Sequence, residues 1–493
     1  MAALRPAVLL AARCALLAVA TVLAFFTGGY FPEAQAWAGL AVWVLVLVAL
    51  LAGDGAPTLR RAGWLTLGGL ALLGGWTLLS ITWAPTAGSA YHAGQLVMLY
   101  VGVVLAAVLL LRGHRVMRAV EPALAAGTLA VIGYGISERL LPGVLHFARS
   151  ISAQGRLEQP LTYWNAMGEL AALGFVLSVR LAGDGQRPRA MRSVAAGACV
   201  PLALGLYLSF SRGALFACAA GLVALIVAAP RREQLEAMAL ALGAGVVAAA
   251  ATAPFHGVTS LMGPLGSRER DGAIVFAVLA VIMAVAAGAQ WQLGRRRRTA
   301  SLWLPRHAPW VASAVIAAGL GLAIAVGSKE GTNRPLSAGA SRYVSVQSNR
   351  YDYWRVALKA FTQEPLRGVG AGGWAVWWLR YRSIDDFAQD AHSLPLQTLA
   401  ELGVVGAALL AAFFAGVGLA ANAAHRVAPA AAAGPIAAFV TYAAHAPLDW
   451  DWQMPAVTIV ALVAAGALIV QSDSAIFGAS RLKIQTASPQ TAT

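Results

Sequence analysis

The chain alternates between long apolar blocks and short polar ones. Apolar runs of bilayer-spanning length lie near residues 7–27, 34–52, 62–83, 94–111, 119–138, 161–181, 191–208, 212–229, 233–253, 272–290, 308–327, 394–421, 433–447 and 454–471, with 433–447 the shortest. Roughly 20 mainly apolar residues carry a helix across the hydrocarbon core, and in lipid a helix satisfies its own backbone polar groups. The pattern predicts an all-α, polytopic integral membrane protein with about 12–14 transmembrane helices.

One polar block differs in length and content. Residues 328–393 carry nine Lys and Arg, many Trp and Tyr, and one histidine, His392. A connection this long is either functional or disordered, and its aromatic content argues for order. Trp354, Ala357, Leu358 and Phe361 recur at i, i+3, i+4, i+7, which predicts a short amphipathic helix with Arg355 and Lys359 off its apolar face. A second short helix is predicted around Trp374, Trp377, Trp378 and Tyr381, beside Arg380 and Arg382. Such helices lie on a membrane surface with their rings at headgroup depth. The block has the position and the residues of an active-site lid.

Charge fixes the sidedness. With the N-terminus placed in the cytoplasm, the inside loops carry Arg5, Arg60, Arg61, Arg112, Arg115, Arg118, Arg180, Arg187, Arg189, Arg192, Arg231, Arg232, Arg295 to Arg298, Arg306, Arg426, Arg481 and Lys483. The outside loops near 30, 85 and 450 carry no Lys or Arg. This is the positive-inside pattern, and it puts both termini in the cytoplasm and the long loop outside. The formal net charge of +15 is therefore topological. Runs such as Arg295–Arg298 meet anionic lipid headgroups, and nucleic acid is not a partner. The N-terminal run resembles a signal peptide with a small-residue site at Ala34-Gln35-Ala36, but the next span follows at once, so it reads as an uncleaved span.

Composition agrees: 59% of residues are hydrophobic and 12% charged, against roughly 25% charged in soluble domains. Cys14, Cys199 and Cys218 all fall in apolar runs and make no disulfide or metal-ligand spacing. No phosphate-binding GxxxxGK[ST] loop occurs, so there is no ATP motor, and HExxH is absent. Gly368-Val369-Gly370-Ala371-Gly372-Gly373 reads as a turn between the two surface helices. Asp449-Trp450-Asp451 has the form of a divalent-cation motif, but one short motif on the outer face fits a structural or substrate-hydroxyl role better.

Outward-facing cations are the exceptions to the charge rule. They are Arg139, Arg149 and Arg156, Arg212, Arg268 and Arg270, and those of the long loop. Arg212 stands between two spans with almost no loop, in a small polar notch made by Ser209, Ser211 and Gly213 that admits an anion. Two arginines neutralise a diphosphate, and each charge-assisted hydrogen bond contributes roughly 1.5–3 kcal/mol. His392 stands just ahead of Ser393 and Pro395 at a helix start, where the dipole disfavours the imidazolium and keeps a base neutral. Asp385, Asp386 and Asp390 lie close enough in sequence to orient it.

Several of these pieces resemble the O-antigen ligase and Wzy-type polymerase superfamily. They are Ser209-Phe210-Ser211-Arg212-Gly213 ahead of an apolar span, Arg350-x-x-x-Trp354, Pro365-Leu366-x-Gly368-Val369-Gly370, and Ala391-His392 followed by Leu399-Ala400-Glu401-Leu402-Gly403-x-x-Gly406. Upstream, Arg156-Leu157-x-x-Pro160-Leu161-x-Tyr163-Trp164-Asn165-Ala166 is similar to the run before a central span in that family. The resemblance covers roughly residues 150–470. Ser393 stands where an asparagine is often found, and the span count exceeds the usual dozen.

The resemblance implies an all-helical membrane glycosyltransferase of the GT-C kind. Its function would be to transfer a glycan from an undecaprenyl-diphosphate carrier to a hydroxyl of a lipid, protein or glycan acceptor, on the outer face of the bacterial inner membrane. Cell-surface polysaccharide would be the product, and neither metal nor cofactor would be needed. It assigns the general base to His392 and the diphosphate to Arg212 and Arg350; Arg156, Ser211, Asp390 and Asp449 are candidate supporting residues. Replacing both Asp449 and Asp451 by Asn would then leave appreciable turnover. The expected organisation is N-terminal spans over 1–150, central spans over 151–327, the extracytoplasmic lid over 328–393, C-terminal spans over 394–472 and a disordered cytoplasmic tail over 473–493. The alternative is a flippase or exporter of lipid-linked glycans, which calls for charges at mid-membrane depth on broken helices.

The predicted sidedness is testable by labelling. A cysteine at Ser337 should react with an impermeant maleimide in outer-permeabilised cells, and one at Thr299 should not. The reverse pattern would put the long loop in the cytoplasm and overturn the topology.

Overall fold

The computed structural model describes residues 4–53, 55, 59–295, 307, 311, 314 and 348–473. The expected span at 308–327, the first part of the long loop, most of the Arg295–Arg298 run and the C-terminal tail lie outside the described residues. All the regular elements described are helices: α1 (Arg5–Ala24), α2 (Pro32–Ala52), α3 (Arg61–Leu79), α4 (Ala87–Leu110), α5 (His114–Leu140), α6 (Trp164–Gly183), α7 (Arg189–Leu208), α8 (Arg212–Ala228), α9 (Arg232–Thr252), the one-turn α10 (His256–Thr259) and α11 (Leu265–Leu293), then α12 (Arg350–Gln363), α13 (Gly373–Tyr381), α14 (Leu394–Val427), α15 (Pro429–His445) and α16 (Pro455–Ser472). Among the described residues, eleven helices are long and apolar enough to cross a membrane. The protein is an all-α, polytopic membrane protein.

Two helices form the interior. Every residue of α16 is buried, and α6 is buried from Asn165 to Gly183. Because α6 meets protein on all sides it can carry Glu169, Ser178 and Arg180, which lipid would not tolerate. α11 by contrast buries only Gly272, Val275, Leu279, Ala286 and Gln290. Small residues let the inner helices approach closely: a Cβ on Gly466 of α16 would come within 2.4 Å of Ala107 on α4. The N-terminal helices belong to this body, with α1 against α2, α5 and α16, and α3 running along α14.

Side-chain hydrogen bonds sort the loops into two ends. At one, Arg5 donates to Ala52 O (2.5 Å), Arg118 to Gln186 O (2.8 Å), Arg180 to Ala430 O (2.5 Å) and Gln471 to Ala431 O (3.2 Å). A buried ion network holds this end: Arg187 pairs with Glu121 at 2.8 Å, and Arg180 with Asp184 at 3.1 Å. At the other end Tyr30 donates to Gln389 (2.9 Å), Leu157 N to Leu208 O (2.9 Å) and Leu394 N to Ala446 O (2.9 Å). The Arg-rich loops collect at the first end and the long loop at the second, as charge alternation requires.

The long loop folds on its own core. Tyr353, Val356, Ala357 and Ala360 of α12 pack with Trp374 and Trp378 of α13, both tryptophans fully buried. The inward face of α12 is therefore one residue out of register with the expected Trp354–Ala357–Leu358–Phe361 stripe, and Leu358 is exposed. Trp374 and Trp378 fill a core instead of lying at headgroup depth, because two helices and the start of α14 together make a layer thick enough to bury indole rings.

α14 is not continuous. Gly403 sits at φ +63°, ψ −163°, which separates Leu394–Leu402 from the longer segment that follows. The freed backbone groups are met by the loop: Val369 N donates to Ala400 O (2.9 Å), Gly370 N to Glu401 O (2.8 Å) and Val404 N to Pro365 O (2.9 Å). Broken backbone inside a membrane protein survives where protein seals it in this way. That conformation is open almost only to glycine, and a Cβ on Gly403 would lie 2.3 Å from Leu366 O. Gly403→Ala should therefore lower the melting temperature in detergent, by about 1–3 kcal/mol of backbone strain plus the clash. Gly418→Ala on the same helix, which meets nothing within 4 Å, should leave it unchanged. Equal melting of the two variants would show that the break carries no load.

Candidate active site

Asp449 is where the loops meet. It lies in the turn between α15 and α16 and is fully buried. Its Oδ2 accepts from the Arg350 guanidinium at 2.5 Å, and its Oδ1 accepts from the Tyr163 hydroxyl at 2.7 Å and from Trp450 N at 2.9 Å. Asn165 in turn donates to the Tyr163 oxygen at 2.7 Å. A carboxylate removed from water needs such partners. Burial alone would raise the Asp449 pKa; the charge of Arg350, with those of His392 and His445 and the Tyr163 hydrogen bond, instead holds it below the usual carboxylate value. Burial works against the Arg350 charge too, yet Asp449 and Tyr163 raise its pKa further.

Arg350 reaches this point because it opens α12, its backbone N–H held by the Ser348 hydroxyl at 3.2 Å. About a fifth of its side chain remains accessible (20%) while its partner has none. One edge of the guanidinium fork is committed to Asp449, and the fork has five donors in a plane.

His392 is brought beside this pair. Its backbone is left-handed, at φ +51°, a conformation that costs a non-glycine residue about 1–3 kcal/mol unless its surroundings impose it. Here the Trp354 indole donates to His392 O at 3.4 Å, and the Leu394 N–H is tied to Ala446 O. The imidazole lies 5.0 Å from the Tyr353 ring and 6.2 Å from the Trp450 ring, centre to centre. Its Nδ1 is 2.9 Å from the backbone oxygen of Asp390. A carbonyl only accepts, so the neutral ring carries its proton on Nδ1 and leaves Nε2 with a lone pair. Burial pushes the His392 pKa below 6.5, against the opposing pull of Asp449; the group is neutral at neutral pH.

The expected carboxylates act at one remove. Asp386 accepts from the Tyr353 hydroxyl and from Asn349 at 2.8 Å, so it fixes the ring that flanks His392. Asp385 is exposed and pairs with Arg382 at 3.4 Å. The Asp390 side chain accepts from Gln397 at 2.9 Å, and burial raises its pKa to about 6.

The serine pair shapes a turn. Phe210 is left-handed at φ +48°; Ser209 Oγ accepts from Ser211 N at 3.2 Å, and Ser211 Oγ caps α8 by accepting from Ala214 N at 3.3 Å. Both hydroxyls are buried and occupied with amides of the turn, as a tight connection between two membrane helices requires. Arg212, half-buried, opens α8. Its neighbour Gly213 lies against the imidazole of His445, where a Cβ would be 2.8 Å from Nε2, so α8 begins beside the turn that bears Asp449. Arg156 is buried with its guanidinium 3.7 Å over the Trp164 ring, bonded to Ala153 O (2.8 Å) and Ser152 O (2.6 Å), and burial pushes its pKa down to about 10. Tyr163 carries the contact onward: its ring is 5.1 Å from Trp164 and 4.5 Å from Trp450.

Sequence reasoning passed over His445 and Glu169 and saw Asp451 only as part of the Asp449-Trp450-Asp451 motif. All three are fully buried; His445 Nδ1 is hydrogen-bonded to Asp451 and lies 3.9 Å from Glu169. The available signal was three ionisable residues within or beside apolar runs.

Residues 255–411 match a family model described as O-antigen ligase. This match, over about a third of the chain, supports a relation to the O-antigen ligase and Wzy superfamily. No curated protein matches it. Arg350 and His392 fall inside the ligase-family segment, whereas Arg156, Ser211, Arg212 and Asp449 fall outside it. Within the matched segment Arg350 is held by Asp449 of the α15–α16 turn, which is itself bonded to Tyr163 just ahead of α6. Among the described residues no group of three His, Cys, Asp or Glu side chains is placed to hold a metal ion. Asp449 is committed to Arg350 and Tyr163, and Asp451 to His445.

This geometry reverses the expectation for Asp449→Asn. Removing one partner of a buried ion pair costs about 3–5 kcal/mol, so the variant should melt markedly earlier in detergent, with no recovery on adding magnesium or manganese. Tyr163→Phe, which loses one hydrogen bond, should cost about 1 kcal/mol. Recovery of Asp449→Asn stability or activity by a divalent ion would contradict the pairing and mark a metal site.

Proposed function

We propose that this protein is a metal-independent, inverting glycosyltransferase that works at the outer face of the inner membrane, with both termini in the cytoplasm. Its donor is a glycan on an undecaprenyl-diphosphate carrier, and its acceptor is a hydroxyl of a lipid, protein or glycan. The product belongs to cell-surface polysaccharide. The observation that carries this reading is a neutral histidine, its Nδ1 held by the Asp390 carbonyl, beside an arginine anchored on Asp449.

In the proposed step the acceptor hydroxyl gives its proton to His392 Nε2 as its oxygen attacks the anomeric carbon. The bond from that carbon to the phosphate oxygen breaks, and the electron pair leaves with the diphosphate. Arg350, fixed by Asp449, turns its guanidinium charge to the leaving group, and Arg212 adds a second charge from the start of α8. Both stabilise charge that grows in the transition state. Asp390, through its carbonyl, keeps His392 in the working tautomer; Arg156 and Ser211 shape the loops behind the two arginines. The segment around α12 and α13 is the lid.

Donor affinity and single-turnover rate separate these roles. Arg350→Ala and Arg350→Lys should both weaken donor binding and turnover, since lysine keeps the charge but loses the planar fork. His392→Ala should leave donor affinity near normal while the rate falls by roughly 10²–10⁴-fold. Because the His392 pKa is lowered, the wild-type rate should hold as pH falls to 6.5 and decline only below it, where the imidazole takes up a proton and ceases to be a base. Loss of donor binding in His392→Ala with a normal bound-state rate would make the histidine a phosphate ligand and move the base elsewhere.

A further inference from the structure

A second feature adjoins this site. A cavity of about 580 Å³ opens between the N-terminal helices and the long loop, within the roughly 300–1,000 Å³ range of small-molecule sites. Its polar wall includes Gln35 of α2, Thr77 of α3, Ser89 of α4, Asp390, and Gln397 and Glu401 on the first segment of α14. The rings of Tyr30 and Trp452 complete it. Among the described residues that line it there is no Lys and no Arg; its titratable groups are the carboxyls of Asp390 and Glu401 and the imidazole of His92.

A diphosphate has nothing to hold it there. Its two or more negative charges would find no guanidinium or ammonium there, only one imidazole, His92, set against two carboxyls. Carboxyls, amides and hydroxyls set against aromatic rings suit a different ligand. Carboxyl and amide oxygens accept from vicinal hydroxyls, amide N–H groups donate to them, and ring faces cover the C–H side of a pyranose. The cavity borders the proposed base through one residue: Asp390 is in its wall, His392 is not, and the Asp390 carbonyl holds His392 Nδ1. Trp452 and Gln453, which follow Asp449 in the same turn, are in the wall too. Much of the wall comes from α2, α3 and α4, outside the ligase-family segment.

We propose that this cavity is the acceptor site, and that it takes the uncharged, hydroxyl-rich end of a glycan, presenting one hydroxyl toward His392 while the diphosphate stays on the arginine side. The inference rests on the transferase reading for the roles of the two sides. On this arrangement the N-terminal helices select the acceptor.

Cysteine protection tests the cavity without requiring turnover. In the full-length chain with Cys14, Cys199 and Cys218 replaced by alanine, one variant carries Ala375→Cys in the cavity wall. A second carries Ser348→Cys beside Arg350. Maleimide labelling is timed with a panel of neutral disaccharides (cellobiose, lactose and maltose) and, separately, with inorganic pyrophosphate. At least one disaccharide should slow labelling at position 375 by fivefold or more, and pyrophosphate should slow it less than twofold there while protecting position 348. Protection of position 375 by pyrophosphate, or by none of the disaccharides, overturns the proposal. If the disaccharides protect 375 but pyrophosphate fails to protect 348, the saccharide cavity stands and the diphosphate reading falls. In active enzyme, Ala375→Trp should raise the acceptor KM at least tenfold with donor affinity within twofold of wild type; the opposite split would likewise overturn it.

Discussion

The buried carboxylate of Asp449 constrains everything around it. An ion of this size left alone in a low-dielectric interior costs several kcal/mol even after relaxation, so the fold must bring a cation and hydrogen-bond donors to it. Arg350 supplies the charge and arrives from a loop 99 residues earlier in the chain; Tyr163 supplies a hydroxyl from the start of α6. Satisfying one group therefore fixes the positions of the long loop, the central helices and the C-terminal turn relative to one another. A buried pair of this kind adds little net stability compared with apolar residues, but it specifies geometry. If Arg350 serves the proposed diphosphate, geometry is the useful property.

The membrane sets the second constraint. Every backbone amide away from water must be paired, and the two left-handed residues of the site show how that is managed. At Phe210 the turn between α7 and α8 is closed by the hydroxyls on either side of it. At His392 the carbonyl and ring are bonded by Trp354 and Asp390, while the next helix is anchored through Ala446. Strain at these points is over-determined by the surroundings. The break at Gly403 follows the same logic, with the glycine-rich turn of the loop supplying the missing hydrogen bonds. What reads in sequence as a flexible glycine run is a set of close backbone approaches: a Cβ on Gly370 would lie 2.4 Å from Ala84, and one on Gly372 would lie 2.5 Å from Ser89.

Much of this was legible in the residues, and the reasons are physical. Spanning helices announce themselves because lipid demands long apolar runs, and the loops sort by arginine content because translocation does. The two loop helices follow from their periodicity. The register of α12 was not legible, since Trp354 and Tyr353 are both large and aromatic, and only the partner tryptophans of α13 decide which one turns inward. Asp449 was visible as half of a short acidic motif, yet its partner is remote in sequence, and no local pattern joins it to Arg350. His445 and Glu169 were hidden for the converse reason. Embedded in apolar helices, they leave hydropathy almost unchanged, and their meeting depends on how α6, α8 and α15 pack.

The same reasoning bears on why the two sides of the site differ in charge. Cations suited to a diphosphate are concentrated on residues that follow α6, at Arg212 and Arg350, each placed at the first turn of a helix. Those positions are demanding ones for an arginine, because the helix dipole there favours negative charge. On the side of α2, α3 and α4 the described cavity wall carries carboxyls and amides instead. On the reading proposed above, a donor that leaves as a diphosphate and an acceptor that arrives as a neutral hydroxyl call for this division, with a neutral histidine between them to take the proton.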